Sequence, residues 1–341
     1  MRDIDLQAPS GNTRIRVGGG FASDQERLAP SAVLIVDENV RAAHPGRFRS
    51  HPALIVPSGE AHKTPATAER LCRALLDMGA DRSALLVGVG GGLATDVAGY
   101  VASTYMRGLR FGFISTTLLG QVDASIGGKN GVNLDGYKNV IGTIRQPEFV
   151  LCDLDLLGSL PRREFVSGIA EAVKYGAIGN IAFLTYLEEH MDGLLGMDRT
   201  VLEHVVATSV QEKVRIVEAD EQEGGLRRLL NFGHTLGHAI ERNGSRLHGE
   251  AVSLGMVLAA RLSVNLGLLT GGELDRLSAV LHSAGLPVSA ELDPRALFDN
   301  LLKDKKKSGK DIHFVVLEGL GRASVRTLPL TDLKSLLHDL C

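Results

Sequence analysis

Three histidines, His234, His238 and His248, crowd into one stretch of a 341-residue chain that holds eleven in all. His234 and His238 stand one turn apart in Asn231-Phe232-Gly233-His234-Thr235-Leu236-Gly237-His238, so a helix there puts both on one face. With a third donor, such a pair can close on a divalent cation. The competing reading is a structural pair that caps and bridges two helices. A second chemistry sits in Gly90-Gly91-Gly92-Leu93-Ala94-Thr95-Asp96, between an apolar run and a helical pattern. Glycines there let backbone N–H groups approach a pyrophosphate at a helix N-terminus. The spacing departs from G-x-G-x-x-G, so a plain tight turn competes. Asp37, at the end of an earlier apolar run, is placed to accept from ribose hydroxyls, or to serve only as a helix cap. The third is Gln121 to Asn133 with Lys138-Asn139, a glycine-rich segment whose lysines are point charges for a phosphate unless it is a solvated loop. Glu171 and Lys174 share a helix face, which by itself suggests a salt bridge.

These residues need elements to hold them. Short apolar runs at 31–36, 53–56, 84–89 and 110–114 alternate with helical stretches such as 67–78 and 97–105. That alternation predicts an open, mainly parallel sheet with helices on its faces. From Pro161, a suitable first-turn residue, the chain turns helical, notably over 199–219 and 250–269. Runs 313–317 and 323–328, flanking Gly319-Leu320-Gly321, predict a small hairpin. The boundary is set at 160/161.

At 44% hydrophobic, the chain is rich enough in apolar residues to bury a core unaided, and its net charge of −3 leaves no basic field for nucleic acid or an anionic membrane. Three scattered cysteines, Cys72, Cys152 and Cys341, make neither a disulfide framework nor a thiolate metal site. Acids near Met1 stand where a signal peptide needs an apolar run, and no apolar run reaches membrane-spanning length, so the expected location is the cytoplasm.

Several longer motifs in order, GGGLATDVAGYVASTYMRG, TTLLGQVDASIGGKNGVN, GYKNVIG, SGIAEAVKYG, LRRLLNFGHTLGHAIE, LHGEAVSLGM and DKKKSGKDIHFVVL, resemble the 3-dehydroquinate synthase family of sugar-phosphate cyclases along nearly the whole length. The resemblance implies an α/β, Rossmann-like NAD domain over 1–160 and a mainly α-helical metal- and substrate-binding domain over 161–341. It assigns a divalent metal, zinc with cobalt as the alternative, to Glu171, His234 and His248. His238 then becomes a proton-handling group, whereas spacing alone would make it a ligand beside His234. NAD falls to Asp37, Asn39, Glu60, Lys63, Gly91, Gly92, Leu93, Asp96, Thr116, Thr117, Leu119, Asp123 and Lys138. Asp123 also joins the catalytic set with Lys174. Lys213, Arg227 and Asn231 meet a substrate carboxylate, and Lys129, Asn139 and Lys305 or Lys306 meet its phosphate. Arg107 is implied to reach in from a neighbouring subunit of a homodimer. The implied reaction converts 3-deoxy-D-arabino-heptulosonate 7-phosphate to 3-dehydroquinate and phosphate. Alternatives are a sister cyclase, including one acting on the amino analogue, a metal-dependent polyol dehydrogenase, and a non-catalytic NAD-binding protein. The segment between Glu241 and His248 is shorter than is usual in the family.

Overall fold

The computed structural model describes residues 1–21, 28–242, 246–305, 311–332 and 337. It divides into two compact units, Met1–Phe165 with Val206–Glu221 and Val166–Val205 with Gln222–Cys341.

The strands of the first unit are β1 (Arg2–Ala8), β2 (Gly11–Gly18), β3 (Ala32–Asp37), β4 (Ala53–Val56), β5 (Leu85–Gly90), β6 (Arg110–Ser115), β7 (Lys129–Leu134), β8 (Tyr137–Ile144) and β9 (Phe149–Asp153). Seven form one sheet, in the order β1-β2-β9-β6-β5-β3-β4. All its pairings are parallel except the β1–β2 hairpin at one edge. Strands covered on both faces must be apolar throughout, and Leu34, Val36, Val87, Val89 and Ile114 pack one core cluster with Phe48 and Leu156. Around the sheet lie α1 (Glu38–Ala43), α2 (Pro65–Asp77) and α3 (Gly92–Thr104). The helix expected from residue 67 starts earlier because Thr64 caps it, accepting from the Thr67 N–H at 3.2 Å, and Pro65 supplies the preset φ of a first turn.

The glycine-rich segment expected to be an irregular loop contains half of a hairpin. β7 and β8 pair antiparallel across Asp135-Gly136, both at positive φ (49° and 77°), as a two-residue turn requires. Gly131 faces Gly142 in that ladder, and a Cβ on Gly142 would lie 2.3 Å from the Asn130 carbonyl oxygen. The glycines therefore serve close backbone approach inside a strand pair.

The second unit carries most of α4 (Arg162–Gly179), then α5 (Ile181–Leu195) and the start of α6 (Arg199–Ala219). It continues with α7 (His234–Glu241), α8 (His248–Asn265), α9 (Gly271–Ser283), α10 (Pro294–Lys305) and the expected hairpin of β10 (Asp311–Leu317) and β11 (Ala323–Pro329). A single cut at 160/161 does not separate the units, because residues 206–221 belong with the sheet. Polar bonds tie them there: Lys213 to Asp123, Glu218 to the Gln7 N–H at 2.8 Å, and Glu221 to the Gln146 amide at 2.8 Å. Among the described residues no helix is long and apolar enough to cross a membrane.

Candidate active site

In the first unit, the parallel strands end together, and the residues expected at NAD follow those ends. Asp37 closes β3, Glu60 and Lys63 follow β4, Gly91, Gly92, Leu93 and Asp96 follow β5, and Thr116, Thr117 and Leu119 follow β6. Between β3 and β5 the strand order reverses, the place where open α/β sheets take ligands. There Gly90 lies so close to Asp37 that a Cβ on it would sit 2.9 Å from the Asp37 Cβ, and one on Gly91 would sit 2.8 Å from the Thr117 side chain. The α3 N-terminus has no side-chain cap from Gly91, which leaves its first-turn dipole available to an anion. Asp37 caps α1, accepting from the Asn39 N–H at 2.9 Å, and also accepts from the Ser58 hydroxyl at 2.8 Å.

Beside this edge is a polar network. The Lys63 ammonium bonds to the Asp96 carboxylate and, at 2.5 Å, to the Asn139 Oδ1. Asn133 links the Glu60 carboxylate, at 2.8 Å, to the Asn139 N–H, also at 2.8 Å. Burial pushes the Asp96 carboxyl upward and Lys63 opposes it. Asp96, Asn139 and the exposed Lys129 line one cavity of about 420 Å³ together with the glycine ladder of β7 and β8. Lys138 is exposed on β8. Lys213 donates to both the Asp123 carboxylate, at 2.5 Å, and the Asp123 carbonyl, at 2.7 Å.

In the second unit, three helices converge on a carboxylate. Glu171 is fully buried on α4, and its Oε1 lies 3.3 Å from His234 Nε2 and 3.3 Å from His248 Nε2. Its other oxygen pairs with the buried ammonium of Lys174, one turn on. One ligand atom from each of Glu171, His234 and His248 lies within 4.8 Å of the others, a separation one cation can bridge. Glycines permit this convergence. A Cβ on Gly249 would lie 1.9 Å from the Ser167 carbonyl oxygen of α4, and one on Gly255 would lie 2.0 Å from the Gly233 carbonyl oxygen before α7. The Gly249 N–H donates to the Ser167 hydroxyl at 2.9 Å, and Glu250 accepts from the Leu247 N–H at 2.9 Å to start α8.

Burial lowers the His234 pKa, with Lys174 adding to the effect against Glu171. At His248 burial also opposes charge, but the carboxylates of Glu171 and Glu241 outweigh it and push the pKa up to about 9. Glu171 itself is held well below the usual range: burial works against that, and Lys174 and the two imidazoles overcome it. The His238 ring stands 5.4 Å from His234 and 6.1 Å from His248.

Of the remaining expected residues, Arg227 is buried and Asn231 donates to the Glu223 carboxylate at 2.5 Å, both in the turn 226–231. Arg107 is exposed at the end of the turn after α3, at φ 68°. Lys305 ends α10, and Lys306 lies outside the described residues. Glu223 and Glu241 were not anticipated. The signal for Glu241 was its place on the stripe of His234 and His238, seven residues beyond the first.

Two sequence profiles match, 3-dehydroquinate synthase N-terminal over residues 53–167 and 3-dehydroquinate synthase C-terminal over 168–307. The chain is 40% identical to the 3-dehydroquinate synthase of Neisseria meningitidis serogroup C, with 98% of each covered. Among solved structures it is similar to a 2-epi-5-epi-valiolone synthase from Streptomyces hygroscopicus with NAD⁺ and Zn²⁺ bound, at 27% identity and a TM-score of 0.88, covering 100% of this chain and 99% of that one. A 2-deoxy-scyllo-inosose synthase complexed with carbaglucose-6-phosphate, NAD⁺ and Co²⁺ is similar at 25% identity and a TM-score of 0.87, covering 99% of each chain. With identity sustained from end to end and both profiles matched in order, the chain belongs to the 3-dehydroquinate synthase family.

Proposed function

We propose that this enzyme converts 3-deoxy-D-arabino-heptulosonate 7-phosphate to 3-dehydroquinate and phosphate, a step toward aromatic amino acids, with NAD regenerated each turnover and a divalent metal as Lewis acid. The observation that carries the reading is 40% identity to 3-dehydroquinate synthase over 98% of the chain, against 25% and 27% to the two sister cyclases. NAD is assigned to residues 1–160, and the metal and much of the substrate to 161–341.

The residues present suit both groups. Glycines at the β5–α3 junction let the backbone close on Asp37 and Thr117 where a Cβ would clash, and the α3 N-terminus stands without a side-chain cap beside an acid at the sheet's switch point. One carboxylate and two imidazoles form a donor set for zinc, with cobalt the next candidate. When bound, NAD supplies a hydride acceptor that later serves as donor, and the metal supplies Lewis acidity toward the substrate's vicinal oxygens.

Glu171, His234 and His248 hold the metal in this reading, and Lys174 balances the buried carboxylate. Asp37, Asn39, Glu60, Lys63, Gly91, Gly92, Leu93, Asp96, Thr116, Thr117, Leu119, Asp123 and Lys138 surround NAD. Lys129 and Asn139 orient the phosphate with Lys305 or Lys306, while Lys213, Arg227 and Asn231 orient the carboxylate. His238 carries protons between substrate atoms. The enzyme is cytoplasmic and homodimeric, Arg107 completing the partner's phosphate site.

Purified protein given NAD⁺ and the heptulosonate phosphate should release phosphate stoichiometrically with no accumulating NADH. NADH that accumulates with turnover would instead make the chain a dehydrogenase.

A further inference from the structure

Resting on the metal reading above, we propose that Glu241 is a positioning residue for the metal centre: its carboxylate accepts the Nδ1 proton of His248 and so holds that ring in the one neutral tautomer whose Nε2 can bind a cation. Both imidazoles of the cluster are arranged alike. His234 turns Nε2 to Glu171 Oε1 at 3.3 Å, and its Nδ1 lies 3.2 Å from the Phe232 carbonyl oxygen. His248 turns Nε2 to the same oxygen at 3.3 Å, and its Nδ1 lies 3.7 Å from Glu241 Oε2.

The nitrogen that binds a metal must be bare, so a cation arriving at Nε2 displaces any proton there and leaves the ring its one remaining proton. The proton then belongs on Nδ1, and an acceptor facing Nδ1 selects that tautomer and aims the ring. His234 has such an acceptor in the backbone of its own turn. His248 is the first residue of α8, and its acceptor is a side chain on another helix. Glu241 can fill that role because it ends α7 three residues after His238, with its side chain 15% exposed. Close packing of α7 on α8 through Gly233 and Gly255 fixes the spacing. At 3.7 Å the pair lies roughly 0.5 Å beyond hydrogen-bond length, a gap that a small ring rotation closes.

His238, Glu241 and His248 also bring ligand atoms within 4.8 Å of one another. A cation held there would take His248 through Nδ1 and leave its only proton on Nε2, facing Glu171. The two uses of the ring therefore exclude each other.

The test uses the metal-free full chain and zinc, with dissociation constant and stoichiometry read by chelator competition. Glu241→Ala should weaken zinc binding about 10–100-fold at one equivalent, the usual range for losing such a partner. Glu241→Gln keeps an acceptor oxygen and should recover most of that affinity. Melting temperature without metal and NAD affinity should match wild type in both variants, which separates positioning from general damage. Wild-type zinc affinity in Glu241→Ala, no recovery in Glu241→Gln, or a second zinc equivalent taken up only by wild type would overturn the proposal. Wild type that binds no zinc would instead overturn the metal reading on which it stands.

Discussion

Arg227 is 1% exposed, so its charge has already lost most of its water before any ligand arrives. A carboxylate placed against such a guanidinium gains in a poorly screened environment, and the planar fork adds geometry that an ammonium lacks. Arg227→Lys should therefore lower kcat/KM by about 1.5–3 kcal/mol, roughly 10- to 150-fold, through loss of a charge-assisted bond. Unchanged kcat/KM would remove the carboxylate assignment and favour a sister-cyclase substrate without that group. The same scale shows how far single residues could be read. Spacing alone made His234 and His238 equal candidates, since four residues apart on a helix is all that spacing reports. The structure turns His234 toward Glu171, while the remaining close donor, His248, comes from the next helix. Convergence of separate helices has no periodicity, and only the resemblance pointed to Glu171 and His248 together. Glu241 escaped because a lone acid at a helix end reads as surface.

At the scale of elements, that convergence depends on glycines more than on the donors. Gly249 lets α8 meet α4 so closely that a Cβ there would lie 1.9 Å from a backbone oxygen, which no side-chain rotation relieves. Gly249→Ala should push the helices apart, cost on the order of 1–3 kcal/mol of stability or more, and loosen metal binding because Glu171 and His248 ride on opposite sides of the contact. Urea unfolding and zinc titration of this variant measure both effects, and wild-type values for both would show that the helices yield without disturbing the site. Parallel strands and long helices were legible because continuous apolar runs and 3.6-residue periods survive in any context. The β7–β8 hairpin was missed although Asp135-Gly136 is a strong turn signal. Its strands are glycine-rich and polar where a cavity needs backbone, so the alternation that marks a strand was absent. β1 and β2, an edge hairpin, do carry that alternation in Asp3-Ile4-Asp5-Leu6 and Arg14-Ile15-Arg16-Val17, and were passed over all the same.

For the whole molecule, the open question is whether one chain holds a complete site. Met106, Arg107 and Gly108 run successively at φ 48°, 68° and 120° after α3, a costly backbone for two residues with side chains. Such a turn is maintained when it aims a side chain, and this one leaves Arg107 exposed rather than folded onto its own unit. The competing explanation is a cation near the end of a helix, favoured by the dipole. Mixing inactive variants separates them. Arg107→Ala and Lys129→Ala each remove one component of the proposed phosphate site. If Arg107 serves the partner's site, a hybrid dimer contains one site lacking both groups and one lacking neither, so exchanged mixtures should regain part of the wild-type rate. With random exchange of equal amounts, half the dimers are hybrids with one intact site each, and the rate should approach roughly a quarter of wild type. Mixtures that stay inactive, with exchange verified by mass, would confine Arg107 to its own subunit.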